Sequence, residues 1–218
     1  NILKINKTNS KKLEKTLYRD KTQDEYVSDF LNDLQYKLLY HPSLGFYEYN
    51  GKSWDKRDEL EIKQLLTVKF GLSDSMEKAI LNKLKQHSDV FTTHLPNEVN
   101  CLNLRNGTLY FLEGEYDPIN KRMDYFKFKY EHNPDDFCTY TLNYDYDPTA
   151  TSDVFTDFLN SITSYDTKLQ KRFSEYFGSI FLDKTIDRKG FLFYGNGKNG
   201  KSMLVETIIS LLGGTESG

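Results

Sequence analysis

Residues 189–212 read KGFLFYGNGKNGKSMLVETIISLL, and this stretch decides how the C-terminal part of the chain is built. Phe191-Leu-Phe-Tyr194 is a short apolar run suited to a buried parallel strand. Gly195-x4-Gly200-Lys201-Ser202 then has the form of a phosphate-binding loop of the Walker A kind. Met203 to Leu212 carries a helical pattern that stops at Gly213-Gly214. Each residue type has a physical task. Gly195, Gly197 and Gly200 let the backbone curl so that its N–H groups converge on one point. The helix behind them adds the positive end of its dipole. Lys201 would bring an ammonium to the β- and γ-phosphates, and the Ser202 hydroxyl would ligate Mg²⁺. The candidate nucleotide-binding residues are therefore Gly195, Asn196, Gly197, Lys198, Asn199, Gly200, Lys201, Ser202 and Met203, with Ser202 on the metal side.

Upstream of this stretch the pattern is mixed α and β. Thr22-x-x-Glu25 is a capping box opening a helix with apolar positions at Val27, Leu31, Leu34 and Leu38, ended by His41-Pro42. Asn50-Gly51 between Phe46–Tyr49 and Lys52–Trp54 predicts a hairpin whose two turn residues take positive φ. Helices are expected over about 58–70, stopped by Gly71, and over 74–87, started by Ser73 or Ser75. A second hairpin is expected at Asn106-Gly107, with further strands near 123–131 and 137–144. Tyr144-Asp-Tyr-Asp-Pro148 marks a boundary. Beyond it, Val154, Phe155, Phe158 and Leu159 predict one helix, and Leu169, Phe173, Tyr176, Phe177 and Ile180 another. These two are expected to bury their apolar faces together.

The 218 residues carry a net charge of -3, which excludes a uniformly basic coat for nucleic acid. The balance is uneven: residues 1–21 hold seven basic and two acidic side chains, a basic arm or linker that could touch phosphate. No stretch approaches the roughly 18 apolar residues of a membrane span, and an apolar leader pattern is missing from the first residues. The expectation from composition is an intracellular, cytoplasmic globular protein with no membrane partner. The chain starts at Asn1 and stops at Gly218, so it is expected to be a piece of a longer protein.

Four other signals invite chemistry. Asp145-x-Asp147 resembles a catalytic metal pair, but Tyr144, Tyr146 and Pro148 around it favour a packed junction. His87, His94 and Cys101 recur every seven residues, with Cys138 as a possible fourth ligand; structural zinc sites space their ligands more closely. Met123 to Tyr130 alternates aromatics with Lys127 and Lys129, which suits a half-buried strand with wet lysines or a stacking surface for single strands. The hairpin at Tyr47–Trp54 between helices could belong to a winged-helix-like unit.

The loop Gly195-Asn-Gly-Lys-Asn-Gly-Lys-Ser202 resembles that of superfamily 3 helicases, and more narrowly the phage, plasmid and poxvirus primase–helicase group. Leu102-Asn-Leu-Arg-Asn-Gly-Thr-Leu109, Tyr144-Asp-Tyr-Asp-Pro148, Phe155-x-x-Phe158-Leu159 and Glu175-Tyr-Phe-Gly178 agree with that group in order. The resemblance covers roughly residues 20–212. It implies an α+β pre-helicase module over 22–148, serving as collar, DNA guide or oligomerisation platform. A helical lead-in and a truncated AAA+ P-loop α/β segment would follow over 149–218. It also implies ATP and Mg²⁺ as cofactors, single-stranded or forked DNA as partner, and a ring, usually a hexamer. The acidic strand, polar sensor and arginine finger of such motors would lie past Gly218. The fragment alone is therefore expected to bind ATP but not hydrolyse it, and the segment after about 195 to be poorly ordered or packed on another copy. The DNA-contacting residues are not assigned. Two rivals stand beside this reading: a DNA-binding or oligomerisation module with an idle nucleotide site, and a small-molecule P-loop kinase.

Overall fold

The computed structural model describes residues 21–119, 121–181, 192–194, 197 and 200–214, so most of the basic arm and Phe191, Gly195, Asn196, Lys198 and Asn199 lie outside the described residues. The chain divides into two units, one of residues up to Asn50 with Trp54–Leu95, the other of Gly51–Ser53 with the chain from Pro96 on. Both are α+β, and each holds a three-stranded antiparallel sheet in sequential order.

In the first unit, α1 (Gln23–Asp33) starts where the capping box places it. Glu25 N–H donates to Thr22 Oγ1 at 3.3 Å, and Thr22 N–H donates to the Glu25 carboxylate at 2.7 Å. The helix is shorter than its apolar spacing predicts. Leu34 is already extended, with ψ 126°, and Leu38 opens a strand instead. Strands β1 (Leu38–His41), β2 (Gly45–Tyr49) and β3 (Trp54–Arg57) form the meander. A leucine four residues beyond Leu34 fits a helix or a strand equally, and pairing of Leu38 with Glu48 of β2 decides for the strand. The β2–β3 hairpin is present, but Tyr49 pairs with Trp54 across a four-residue connection. Among the described residues of this turn only Gly51 has positive φ, and Asn50 instead donates from its side chain to Asp55.

Helices α2 (Glu59–Phe70) and α3 (Asp74–Gln86) follow as expected, with Gly71 in the left-handed region at φ 62° and Ser73 at the N-cap. Their apolar faces close a core of Tyr26, Val27, Phe30, Phe46, Ile62, Leu66, Ile80 and Leu84, all buried. Burying one such side chain is worth about 1.5–3 kcal/mol, so this cluster holds the unit together.

The second unit is built on β4 (Cys101–Leu104), β5 (Gly107–Asp117) and β6 (Arg122–Lys129). Leu104 pairs with Gly107, closing the expected hairpin around Arg105 and Asn106. A side chain at Gly107 would overlap the Lys129 carbonyl oxygen of β6, so glycine is what lets the third strand approach. The expected strand at 137–144 does not form. A 3₁₀ turn (Pro134–Asp136) ends at Phe137 in the left-handed region, and the segment beyond makes a single bridge, Leu104 to Leu142. It still buries Phe137, Cys138 and Leu142. Their apolar pattern reports burial, not extended pairing.

Helices α4 (Asp153–Thr163), α5 (Thr167–Ile180) and α6 (Lys201–Leu211) complete the unit. The first two exist where the pattern puts them and they meet, with Gln170 of α5 donating to Asn160 and Thr163 of α4. Their burial is partial: Phe158, Leu159, Leu169 and Phe173 are half-buried and Thr163 alone is fully buried. Residues 192–194 form no strand, and Leu192 and Tyr194 are 91% and 95% exposed. A parallel strand needs a neighbour for its hydrogen bonds, and none pairs with these residues among the described ones. The helix behind the loop is present nonetheless, and Leu204 is its buried residue.

Candidate functional site

The candidate site lies at the start of α6. Gly200 is its N-cap, in the left-handed region at φ 80°, and Lys201 and Ser202 open the helix. The first helical hydrogen bond runs from Leu204 N–H to Gly200 O at 3.0 Å. The N–H groups of the first turn point out of the helix end, and Gly200 as N-cap brings no side-chain acceptor of its own. The start of a helix favours an anion, and a glycine there lets a phosphate approach the backbone closely. Ser202 and Met203 are exposed and Lys201 is half-buried; Gly197 is exposed as well. The remaining loop residues, Gly195, Asn196, Lys198 and Asn199, fall outside the described residues.

Sequence reasoning missed what stands behind this helix. A Cβ on Gly200 would meet Ile162 Cγ2 at 2.8 Å and Phe158 Cε2 at 2.9 Å, both from α4. At the opposite end, the Tyr144 hydroxyl donates to the Leu211 carbonyl at 2.7 Å. Phe158 and Tyr144 were legible as motif members but not as neighbours of α6.

The Leu102–Leu109 and Tyr144–Pro148 motifs also meet. Arg105 N–H donates to Tyr144 O at 3.0 Å. The Arg105 guanidinium grips both Asp145 oxygens at 2.8 Å. Asn106 exchanges two bonds with the Tyr146 backbone, donating at 3.0 Å and accepting at 2.9 Å. The Arg105 hydrogen bonds hold the Asp145 carboxyl below its ordinary range, and bonds from Thr149 do the same for Asp147. These two acids are exposed, each has a partner of its own, and the Tyr144–Pro148 junction motif lies within the second unit. Among the described residues no group of His, Cys, Asp and Glu is arranged to hold a metal ion.

Beside the junction, Asn103 is 1% exposed. Its amide donates to Lys52 O at 2.9 Å and Tyr140 O at 2.7 Å. Its carbonyl accepts from Thr108 Oγ1 at 3.3 Å and lies 2.8 Å from His132 Nδ1. Burial first, then the Lys52 charge, lowers the His132 pKa. Cys101 and Cys138 bring their sulfurs within 3.6 Å, both buried, while His87 and His94 belong to the first unit. The Cys101 thiol is pushed up by its bond with Cys138 and by burial.

The readings that pointed to nucleic acid fare unevenly. On β6, Phe126 and Phe128 face the opposite side of the sheet from Lys127 and Lys129, as strand alternation requires. The strand is less buried than expected: Phe126 is 55% exposed and Phe128 packs on Tyr146 at 4.7 Å. In the first unit, Lys83 and Lys85 of α3 pair with Asp24 and Glu59, and Arg57 of the hairpin pairs with Glu48. Cations already answered by carboxylates make a poor phosphate-tracking face.

The profile of a family described as D5 N terminal like matches residues 22–164, a span that includes the Leu102–Leu109 and Tyr144–Pro148 motifs and α4. No curated protein matches the chain. No helix among the described residues is long and apolar enough to cross a membrane.

Proposed function

This chain belongs to the D5 N-terminal-like family, the N-terminal region of phage and viral primase–helicase proteins, and on that premise we propose that it is part of an ATP-dependent superfamily 3 replicative DNA helicase. The observation that carries the proposal is Gly195–Ser202 leading into a helix that begins at Lys201 behind a left-handed glycine. In this reading residues Gly195 to Gly200 would wrap the phosphates with backbone N–H groups, beside the positive end of α6. Lys201 balances phosphate charge, and the Ser202 hydroxyl takes a place in the Mg²⁺ shell that accompanies the nucleotide. ATP supplies the phosphoryl-transfer free energy when bound. In the parent protein the partners are DNA and further copies of the chain in a ring, with the residues matched by the family profile serving as the platform beside the motor.

A fluorescent ATP analogue (mant-ATP) titrated into the 218-residue chain with Mg²⁺ tests the nucleotide reading. Saturable binding is expected, weakened at least tenfold by Lys201→Ala. Loss of one charge-assisted contact of about 1.5–3 kcal/mol corresponds to such a factor. Equal binding by both proteins would remove the phosphate loop from the account.

A further inference from the structure

The helix behind the phosphate loop is held at both ends by residues of the family-matched module. Tyr144, Phe158 and Ile162 all lie inside residues 22–164, whereas Gly200 and Leu211 lie outside. At the N-terminal end the fit is steric. Phe158 Cε2 and Ile162 Cγ2 occupy the space a Gly200 side chain would need, at 2.9 and 2.8 Å. At the C-terminal end the fit is polar. Leu211 is the last residue of α6, so its carbonyl has no partner within the helix, and the Tyr144 hydroxyl supplies one at 2.7 Å.

Among the described residues little else buries α6. Leu204 is its buried residue, and Met203 stays 60% exposed, Ile209 45% and Leu211 43%. With so small an apolar contact, two end contacts weigh heavily in fixing where the helix points. The direction of α6 is also the direction of its first-turn N–H groups.

We propose that Tyr144, Phe158 and Ile162 are positioning residues for the phosphate loop, holding α6 at both ends so that its first turn faces the nucleotide. The inference rests on the nucleotide-binding reading above and extends it: the module senses nucleotide through these contacts. Tyr144 sits next to Asp145, which Arg105 grips, so the clamp continues into the β4–β5 hairpin. Coupling of this kind is reciprocal. If the clamp favours the nucleotide, bound nucleotide must tighten the clamp.

Two conservative variants of the whole chain test this, Tyr144→Phe and Phe158→Leu. The first removes one hydroxyl; the second removes the ring tip against Gly200 and keeps an apolar body. Hydrogen–deuterium exchange without nucleotide should quicken across 203–211 in both, with β4–β6 unchanged. Mant-ATP with Mg²⁺ should bind each variant about three- to tenfold more weakly, the range for one hydrogen bond of about 0.5–1.5 kcal/mol. In the wild-type chain, adding ATP should slow exchange across 155–163, a response that a merely structural packing role would not give. Wild-type binding with affinity unmoved in both variants overturns the clamp and leaves the nucleotide reading standing. Unchanged exchange across 203–211 in both variants overturns the clamp whatever the nucleotide does. A wild-type chain that binds mant-ATP no better than Lys201→Ala overturns the nucleotide reading itself, and the positioning role with it.

Discussion

Asn103 shows how much one polar residue can organise. It is almost fully buried, and its amide ties the 51–53 turn, β5 and the 137–142 segment together. Replacement by alanine would strand several buried donors and acceptors, so Asn103→Ala should cost about 3 kcal/mol. Urea unfolding followed by exchange of the β4–β6 amides measures it. His132, at the same node, gives the second unit a pH dependence. Its folded pKa lies below the ordinary 6.5, so beneath that value the unfolded chain takes up a proton that the folded chain resists. Its stability contribution is complete above about pH 6.5 and is lost as the pH falls from there toward the lowered folded value. Between about pH 7 and about pH 5.5 the wild type should therefore lose more stability than His132→Gln. Equal losses would take His132 out of the node. None of this was legible in the sequence. A strand position occupied by Asn looks like any other, and only the neighbours that converge on it reveal the role.

At the scale of elements, the signals that act locally were readable and those that depend on neighbours were not. The Thr22–Glu25 capping box, the Gly71 stop and the Gly213-Gly214 end each work within a few residues, and the corresponding helix ends fall where they put them. Leu38, the 137–144 segment and residues 192–194 were misread because pairing partners decide strands. Leu38 found β2; Leu142 found one bridge to Leu104; residues 192–194 have no pairing partner among the described residues. Gly107 lies between these cases. The hairpin it belongs to was legible, but the turn falls on Arg105 and Asn106, so that Gly107 opens β5, and its closeness to β6 was not legible. Gly107→Ala should destabilise the β4–β6 sheet by upwards of about 2 kcal/mol, because the new methyl group meets backbone, which cannot swing aside. Chemical denaturation checks it, and a neutral result would mean that β6 can shift without loss.

Taken whole, the molecule pairs a family-matched module with a helix that carries the phosphate-loop signature. The α+β character and the ordered motifs were readable from residues alone. That the hairpin Leu102–Leu109 and the junction Tyr144–Pro148 form one bonded unit was not, because 35 or more residues separate them and only the fold closes that gap. The candidate site was legible as a motif, Gly195 to Met203, while its supports Tyr144, Phe158 and Ile162 were visible only in three dimensions. The central claim is that this motif receives a nucleotide. Titrating Mg²⁺ and ATP into an isotopically labelled chain, and following every backbone amide by NMR, tests it most directly. The account predicts that the largest shifts fall on Gly195 to Leu204, with smaller ones at Phe158, Ile162 and Tyr144. Shifts confined to other parts of the chain, or none at saturating nucleotide, would contradict it.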